Sequence, residues 1–374
     1  MVYHTILLLC FAFAFFSERY TMSLVKNSID IITEQRQNLE KKLFFIIALY
    51  MLCLCGLRSY KPGAYVGLDT SAYYNMYLRY SSLNFSDIFD ERMNDKGYVL
   101  FGWLLSKIEM DFSVLLFISA IIYVGGITWC IYRYSQNRWM SFFIFVAMGL
   151  YTFSFSAVRQ SIAMGLCMIA YILSDKTQGW RGFILFIGIT YIASTIHASA
   201  IIFLPVYLVQ KISYKPATVF VFLGVAVATM LFKNQFASLL LQLAAETSEK
   251  YENYEMVRNA GAGIMLYLFV MMTVILCLLA TNSKIKNDKK DNFVYLILCM
   301  LILFPATQSG GGMMRIYYYY YMFIVVFLPN VLESIEDLKT KQLAYLLLSM
   351  FLLWFYMSGD KRGLALIPYQ FFWQ

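Results

Sequence analysis

Apolar residues fill this chain in long continuous runs, and polar residues are confined mainly to the stretches between them. The runs do not alternate with period two, and few carry a polar stripe at helical spacing. They predict helices that are apolar on nearly every face. Such segments fall at 2–16, 43–57, 112–131, 139–155, 157–173, 182–196, 198–209, 216–232, 264–281, 293–307, 316–330 and 343–358. A β-barrel would instead show alternating segments of about ten residues. The expected fold is an all-α polytopic membrane protein, a single transmembrane domain over 1–374 with about twelve spans.

Two segments need separate treatment. The opening "MVYHTILLLCFAFAFFSERY" contains Ala12-Phe13-Ala14, which mimics a signal-peptide cleavage site. It lacks a positive n-region, and its positive charges follow the apolar stretch, so an uncleaved and rather short first helix is expected. The stretch "GYVLFGWLLSKI" (97–108) is apolar but short. Counting it as a span would spoil the charge pattern, so it is expected to be re-entrant or interfacial.

That charge pattern sets the orientation. With the N-terminus outside, one set of short loops collects Lys41, Lys42, Arg133, Arg138, Lys176, Arg181, Lys211, Lys215 and the run "NSKIKNDKKDN" (282–292). By the positive-inside rule this face is cytoplasmic, and both termini lie outside. Two substantial external loops remain, 58–111 and 233–263, which are expected to form parts of an active-site cavity. The second reads as an amphipathic helix on the membrane, ending in Gly261 and Gly263 and suited to act as a lid.

Composition agrees. The chain is 60% hydrophobic and only 14% charged, against about 25% charged residues in soluble domains. Its net charge of +8 follows membrane topology and implies a lipid bilayer rather than nucleic acid as partner. All seven cysteines lie in apolar runs without a C-x-x-C pair, which indicates neither a disulfide framework nor a zinc site.

Within this background a few polar residues stand out. From Trp139 to Ser174 the only formally charged side chain is Arg159. An arginine at mid-bilayer costs roughly 2.5–3.5 kcal/mol on insertion scales. The segment boundaries place Arg159 at the outer end of a turn between two spans, which lowers that cost. In "YVGLDTSAYYNMYLRY" (65–80), Asp69, Tyr73, Tyr77 and Tyr80 share one helix face. They fit an N-cap with an interfacial tyrosine belt, or a carboxylate beside aromatic platforms that hold a sugar.

His197 is one of two histidines, and it sits between apolar half-segments on the external side. A helix-packing hydrogen bond would explain it, as would a general base or a donor to phosphate. In "QSGGGMMRIYYYYY" (308–321), Gly310–Gly312 and Arg315 could cradle an anion, while the tyrosines fit an interfacial belt. P-loop, G-x-S-x-G and H-E-x-x-H signatures are missing from the sequence. The remaining set of external arginines, one histidine and one carboxylate suits a phosphate or pyrophosphate at headgroup level.

Four stretches taken in order, "VGLDTSAYY", "FSAVRQSIAMGL", "HASAIIFLPVYL" and "PYQFF", resemble the EpsG family of bacterial polysaccharide polymerases, similar in role to Wzy-type O-antigen and capsule polymerases. The resemblance implies a glycosyltransferase bundle of broadly GT-C type. Its donor would be an undecaprenyl-pyrophosphate-linked oligosaccharide on the outer face of the bacterial cytoplasmic membrane. It carries over Arg159, His197 and Asp69 as catalytic positions; beside it, the reading of the residues themselves gives Arg159, Gln160, Arg315, Tyr73 and Tyr77 as substrate-binding candidates. His197 and Asp69 both remain open as the base. Asp69 has no adjacent acidic partner, so neither a metal nor another cofactor is expected. A flippase and a chain-length regulator would be the protein partners. The competing functions are a lipid-linked oligosaccharide flippase and an O-antigen ligase using the same donor.

Overall fold

The computed structural model describes residues 4–10, 12, 29–90, 95–177, 179–245, 264–280, 293–309, 315–359 and 365–374. Within these residues the chain is helical throughout, with one isolated backbone bridge between Arg58 and Phe371 and no strand. The helices used below are α1 (Ile29–Gly56), α2 (Thr70–Ser81), α3 (Lys96–Lys107), α4 (Phe112–Tyr134), α5 (Arg138–Ala147), α6 (Leu150–Ser156), α7 (Val158–Thr177) and α8 (Gly179–Ile196). After them come α9 (Val206–Val209), α10 (Pro216–Leu231), α11 (Lys233–Ala245), α12 (Ile264–Ala280), α13 (Phe293–Leu303), α14 (Tyr318–Tyr321), α15 (Ile324–Glu333) and α16 (Leu338–Ser358).

Close helix crossings organise the centre. A Cβ on Gly165 of α7 would come within 2.5 Å of the Ile122 carbonyl oxygen of α4, and one on Gly126 within 3.0 Å of the Gly165 oxygen. Small residues at such a crossing let two backbones approach where lipid offers no hydrophobic drive between helices. Gly56 plays the same part between α1 and α4, where an added Cβ would meet Phe117 at 2.7 Å. The buried run Phe142–Val146 of α5 fills the middle of the bundle. The outer faces of α8, α10 and α16 expose Phe183, Ile184, Tyr191, Phe220, Leu346 and Trp354. This is a membrane protein.

Three described helices, α4, α8 and α16, are long and apolar enough to cross a bilayer, or up to five if each of two bent pairs counts as one span. The expected span 139–155 is one of those pairs. It breaks between α5 and α6 with a 46° bend, where Gly149 takes φ +78°. Glycine carries that left-handed conformation without the penalty a side chain would bring. The expected 198–209 is a 3₁₀ turn (Ala198–Phe203) followed by the single-turn α9, with Pro205 between them. Likewise 316–330 is divided into α14 and α15.

The segment expected to be re-entrant or interfacial is α3, whose 12 residues extend about 18 Å and fall short of a hydrocarbon core. The external helix expected in 233–263 begins as α11, turned 91° from α10. The rest of that loop, 246–263, lies outside the described residues, as do the lysine run 282–292 and Gly310–Gly312.

Polar clusters lie at both ends of α7. At one end Asp175 pairs with Arg133 at 3.2 Å and accepts a hydrogen bond from Tyr134. Nearby, Asn330 donates to the Tyr134 carbonyl, and Glu333 accepts from Asn137 and pairs with Lys341 at 2.7 Å. Arg159 belongs to the other end, sixteen residues away from Asp175 and so about 24 Å along the axis.

Candidate functional site

The end of the bundle that holds Arg159 is built from short, tightly turned segments. The chain leaves α6 at Ser156, turns through Ala157 and enters α7 at Val158, which sets Arg159 in the first helical turn. The loop after α1 is pinned to this turn. Leu68 N donates to Ser156 Oγ at 3.1 Å, and Gly67, at φ +100°, passes so close that a Cβ would meet the Phe155 oxygen at 2.1 Å. From this anchored loop α2 projects with Tyr73, Tyr77 and Tyr80 buried on one face, as the spacing predicts.

Arg159 does not pair with Asp69. Its carboxylate partner is Asp95, whose Oδ2 accepts from Nη1 at 2.6 Å. Asp95 stands in the N-cap position of α3 with φ +55° and makes no side-chain cap bond to its own helix. Aspartate tolerates this left-handed conformation better than most residues. Its other oxygen, Oδ1, accepts from Ala198 N at 3.3 Å. That contact ties it to the turn carrying His197, whose Nδ1 lies 3.8 Å from Oδ2, too far for a hydrogen bond. Gly97 permits the approach of α3 to α8, since a Cβ there would sit 2.2 Å from Thr195 Oγ1.

The three side chains are not equally accessible. Asp95 is 6% exposed, whereas Arg159 and His197 are 22% and 21% exposed. The carboxylate is thus the most enclosed member, and the two cationic or ionisable nitrogen groups are open to what approaches. Burial opposes ionisation of Asp95, but neighbouring His197 and Arg159 outweigh it and hold the carboxyl below its ordinary value. Arg159 also lies 5.7 Å from the Tyr73 ring and 5.9 Å from the Tyr98 ring, within reach of cation–π attraction. Burial raises the Tyr73 phenol above its ordinary pKa despite the opposing effect of Arg159. Arg159 Nε, His197 Nδ1 and the Tyr98 hydroxyl are buried and have no hydrogen-bond partner among the described residues.

The other sequence candidates divide. Gln160, buried beside Arg159 in the chain, donates through Nε2 to the Arg315 carbonyl at 2.9 Å and so brings the Arg315 segment to the start of α7. The Arg315 guanidinium lies 5.8 Å from the Phe153 ring, and Phe153 stacks on Tyr318 at 4.4 Å. Tyr77 is committed to packing: its hydroxyl donates to the Met110 carbonyl and its ring lies against Phe112. Asp69 occupies the N-cap position of α2, partly exposed and without a side-chain cap bond, one turn from Tyr73. Among the described residues no three His, Cys, Asp or Glu side chains gather as metal ligands.

Two residues escaped the sequence reading. Asp95 carried a signal, an acidic residue just before a short apolar helix, but its cross-chain partners could not be read from that. Arg58, 1% exposed, donates to the Cys55 and Phe155 carbonyls and lies 5.0 Å from the Phe155 ring. The tail with "PYQFF" packs across this region: Ser59 N donates to the Gln370 oxygen and Phe372 N to the Leu57 oxygen, while Gly67 N donates to Ala365. The four stretches that carry the family resemblance therefore meet at one end of the bundle.

A model of the EpsG family matches residues 41–371, most of the chain. The chain belongs to the EpsG family. EpsG membership supports a role as a polymerase in polysaccharide biosynthesis, of glycosyltransferase type. Searches of curated proteins and of solved structures each returned no match.

Proposed function

We propose that this EpsG-family protein is a membrane-embedded glycosyltransferase that extends a polysaccharide. It moves the growing glycan from undecaprenyl pyrophosphate to a sugar hydroxyl of an incoming lipid-linked repeat unit, on the outer face of the bacterial cytoplasmic membrane. The observation that carries this reading is the cluster of Arg159 and His197 around enclosed Asp95, with Arg315 drawn in through Gln160. Arginine's permanent charge and forked donors suit a pyrophosphate. Placed in advance, that charge stabilises the negative charge that builds up as the donor departs.

In the reaction the acceptor oxygen bonds to the anomeric carbon, and the bond from that carbon to pyrophosphate breaks with its electron pair going to the pyrophosphate. Arg159 and Arg315 offset the charge left there. His197 or Asp69 takes the hydroxyl proton. Both are partly exposed on this end of the bundle, which supports either as a base. Neither a metal nor another cofactor is needed in this scheme, because the activated donor supplies the driving force. The outward orientation rests on the positive-inside rule, and the separation of polar clusters along α7 suits a helix with two wet ends. In the full arrangement about twelve spans form a broadly GT-C-like bundle. A flippase would supply the repeat unit, and a chain-length regulator would act on the product.

Reconstitution with a synthetic undecaprenyl-pyrophosphate-linked repeat tests this directly. A ladder of glycans differing by one repeat is expected. A single transfer to an unrelated acceptor would indicate a ligase, and movement of substrate across the bilayer without a new bond would indicate a flippase; either overturns the proposal.

A further inference from the structure

The carboxylate of Asp95 faces two side-chain nitrogen groups but hydrogen-bonds only one of them. Its Oδ2 holds Arg159 Nη1 at 2.6 Å and stands 3.8 Å from His197 Nδ1, which is buried with no hydrogen-bond partner among the described residues. A buried ring nitrogen left unpaired is costly, and few such groups occur in folded proteins. A shift of about 1 Å would bring Oδ2 within hydrogen-bonding range of Nδ1. Meanwhile the bond from Ala198 N to Oδ1 anchors the carboxylate beside the histidine turn.

We propose that Asp95 is a positioning residue with two partners: it holds Arg159 while the site is empty, and passes to His197 when a pyrophosphate draws Arg159 away. The inference rests on the reading of Arg159 as a pyrophosphate ligand and selects His197 over Asp69 as the base. Exposure gives the direction. Asp95, 6% exposed, is more enclosed than Arg159 and His197, at 22% and 21%. An arriving anion meets the two nitrogen groups first, and the carboxylate is poorly placed to take a proton from a sugar hydroxyl.

The exchange has a chemical consequence. With Arg159 turned to the pyrophosphate, Asp95 accepts from Nδ1–H of His197 and fixes the tautomer that leaves Nε2 as proton acceptor. As the acceptor oxygen attacks the anomeric carbon, its proton passes to Nε2. The electron pair of the breaking carbon–oxygen bond goes to pyrophosphate, and Asp95 stabilises the imidazolium that results. The base is therefore completed only when the donor is in place. Donor binding and acceptor activation become linked through one carboxylate.

The chain's two histidines, His4 and His197, make the exchange observable. Full-length protein in lipid nanodiscs, labelled with ¹⁵N-histidine, would be titrated with geranyl pyrophosphate, and binding followed separately by calorimetry. His4→Gln assigns the signals. On binding, the His197 resonances should move to a hydrogen-bonded Nδ1–H state. In Asp95→Asn the probe should bind at least as tightly, because its competitor for Arg159 has lost its charge, but the histidine response should disappear. Turnover by that variant should fall at least tenfold in kcat without a rise in KM, and Asp95→Glu should restore part of it. Binding with no His197 response, or the same response in Asp95→Asn, overturns the exchange and leaves the pyrophosphate reading standing. No binding by the wild type overturns both. The wild-type titration decides the matter even if Asp95→Asn does not fold.

Discussion

At the scale of the residue, the site depends on who partners whom, and Asp95 is the clearest case. The Arg159 and His197 positions were legible because a lone arginine and a rare histidine stand out in apolar surroundings. Asp95 did not stand out, because its role lies in contacts to residues 64 and 103 positions away. Its lowered pKa has a measurable consequence. A depressed carboxyl contributes stability that is fully present above its unfolded value, about 3.9, and is lost as pH falls through the folded value. The melting-temperature gap between wild type and Asp95→Asn should therefore narrow as pH falls below about 4. A gap that stays the same between about pH 5 and about pH 3 would contradict this coupling. The assignment of His197 as base has its own test: His197→Ala should lower kcat at least tenfold with little change in KM. Near-normal turnover there, together with an inactive Asp69→Asn, would pass the role to Asp69.

At the scale of the element, hydrophobic pattern located most segments, and single residues decided where they break. The helices at 112–134 and 338–358 agree with the continuous runs that predicted them, extended by a few residues. The break within 139–155 was not legible, because a glycine in an apolar run is compatible with either a continuous helix or a left-handed turn; Gly149 takes the turn. The same residue type serves two different purposes elsewhere. Gly165 sets the α4–α7 crossing in the core, whereas Gly97 sets the approach of α3 to α8 beside the site. Gly165→Ala should overpack the crossing, cost about 1–3 kcal/mol and lower the amount of folded protein. Gly97→Ala should push Asp95 away from Arg159 and His197, reducing polymerisation far more than membrane abundance. Melting temperature and glycan yield measured on both variants separate these effects. Equal losses of both in Gly97→Ala would show that α3 only supports the fold.

At the scale of the whole molecule, one end of α7 carries the Arg133–Asp175 pair and the other the Arg159–Asp95 pair. The topology read from lysine and arginine places the second end outside. Exposed Ser82, in the loop that follows α2, and exposed Lys339, at the start of α16, lie on opposite sides in this arrangement. Cysteines at those positions should react with a membrane-impermeant maleimide only from outside for Ser82→Cys and only from the cytoplasm for Lys339→Cys. Reversed labelling would move the site to the wrong face for the proposed lipid-linked donor.

The central claim is that Arg159 binds the donor pyrophosphate, and the most direct test replaces its forked donor while keeping its charge. Glycan polymerisation by reconstituted Arg159→Lys should fall at least tenfold, because a single ammonium cannot reproduce a two-pronged contact, while the membrane level of the protein stays near that of wild type. An abundant Arg159→Lys variant that builds the same ladder at the wild-type rate would contradict the account.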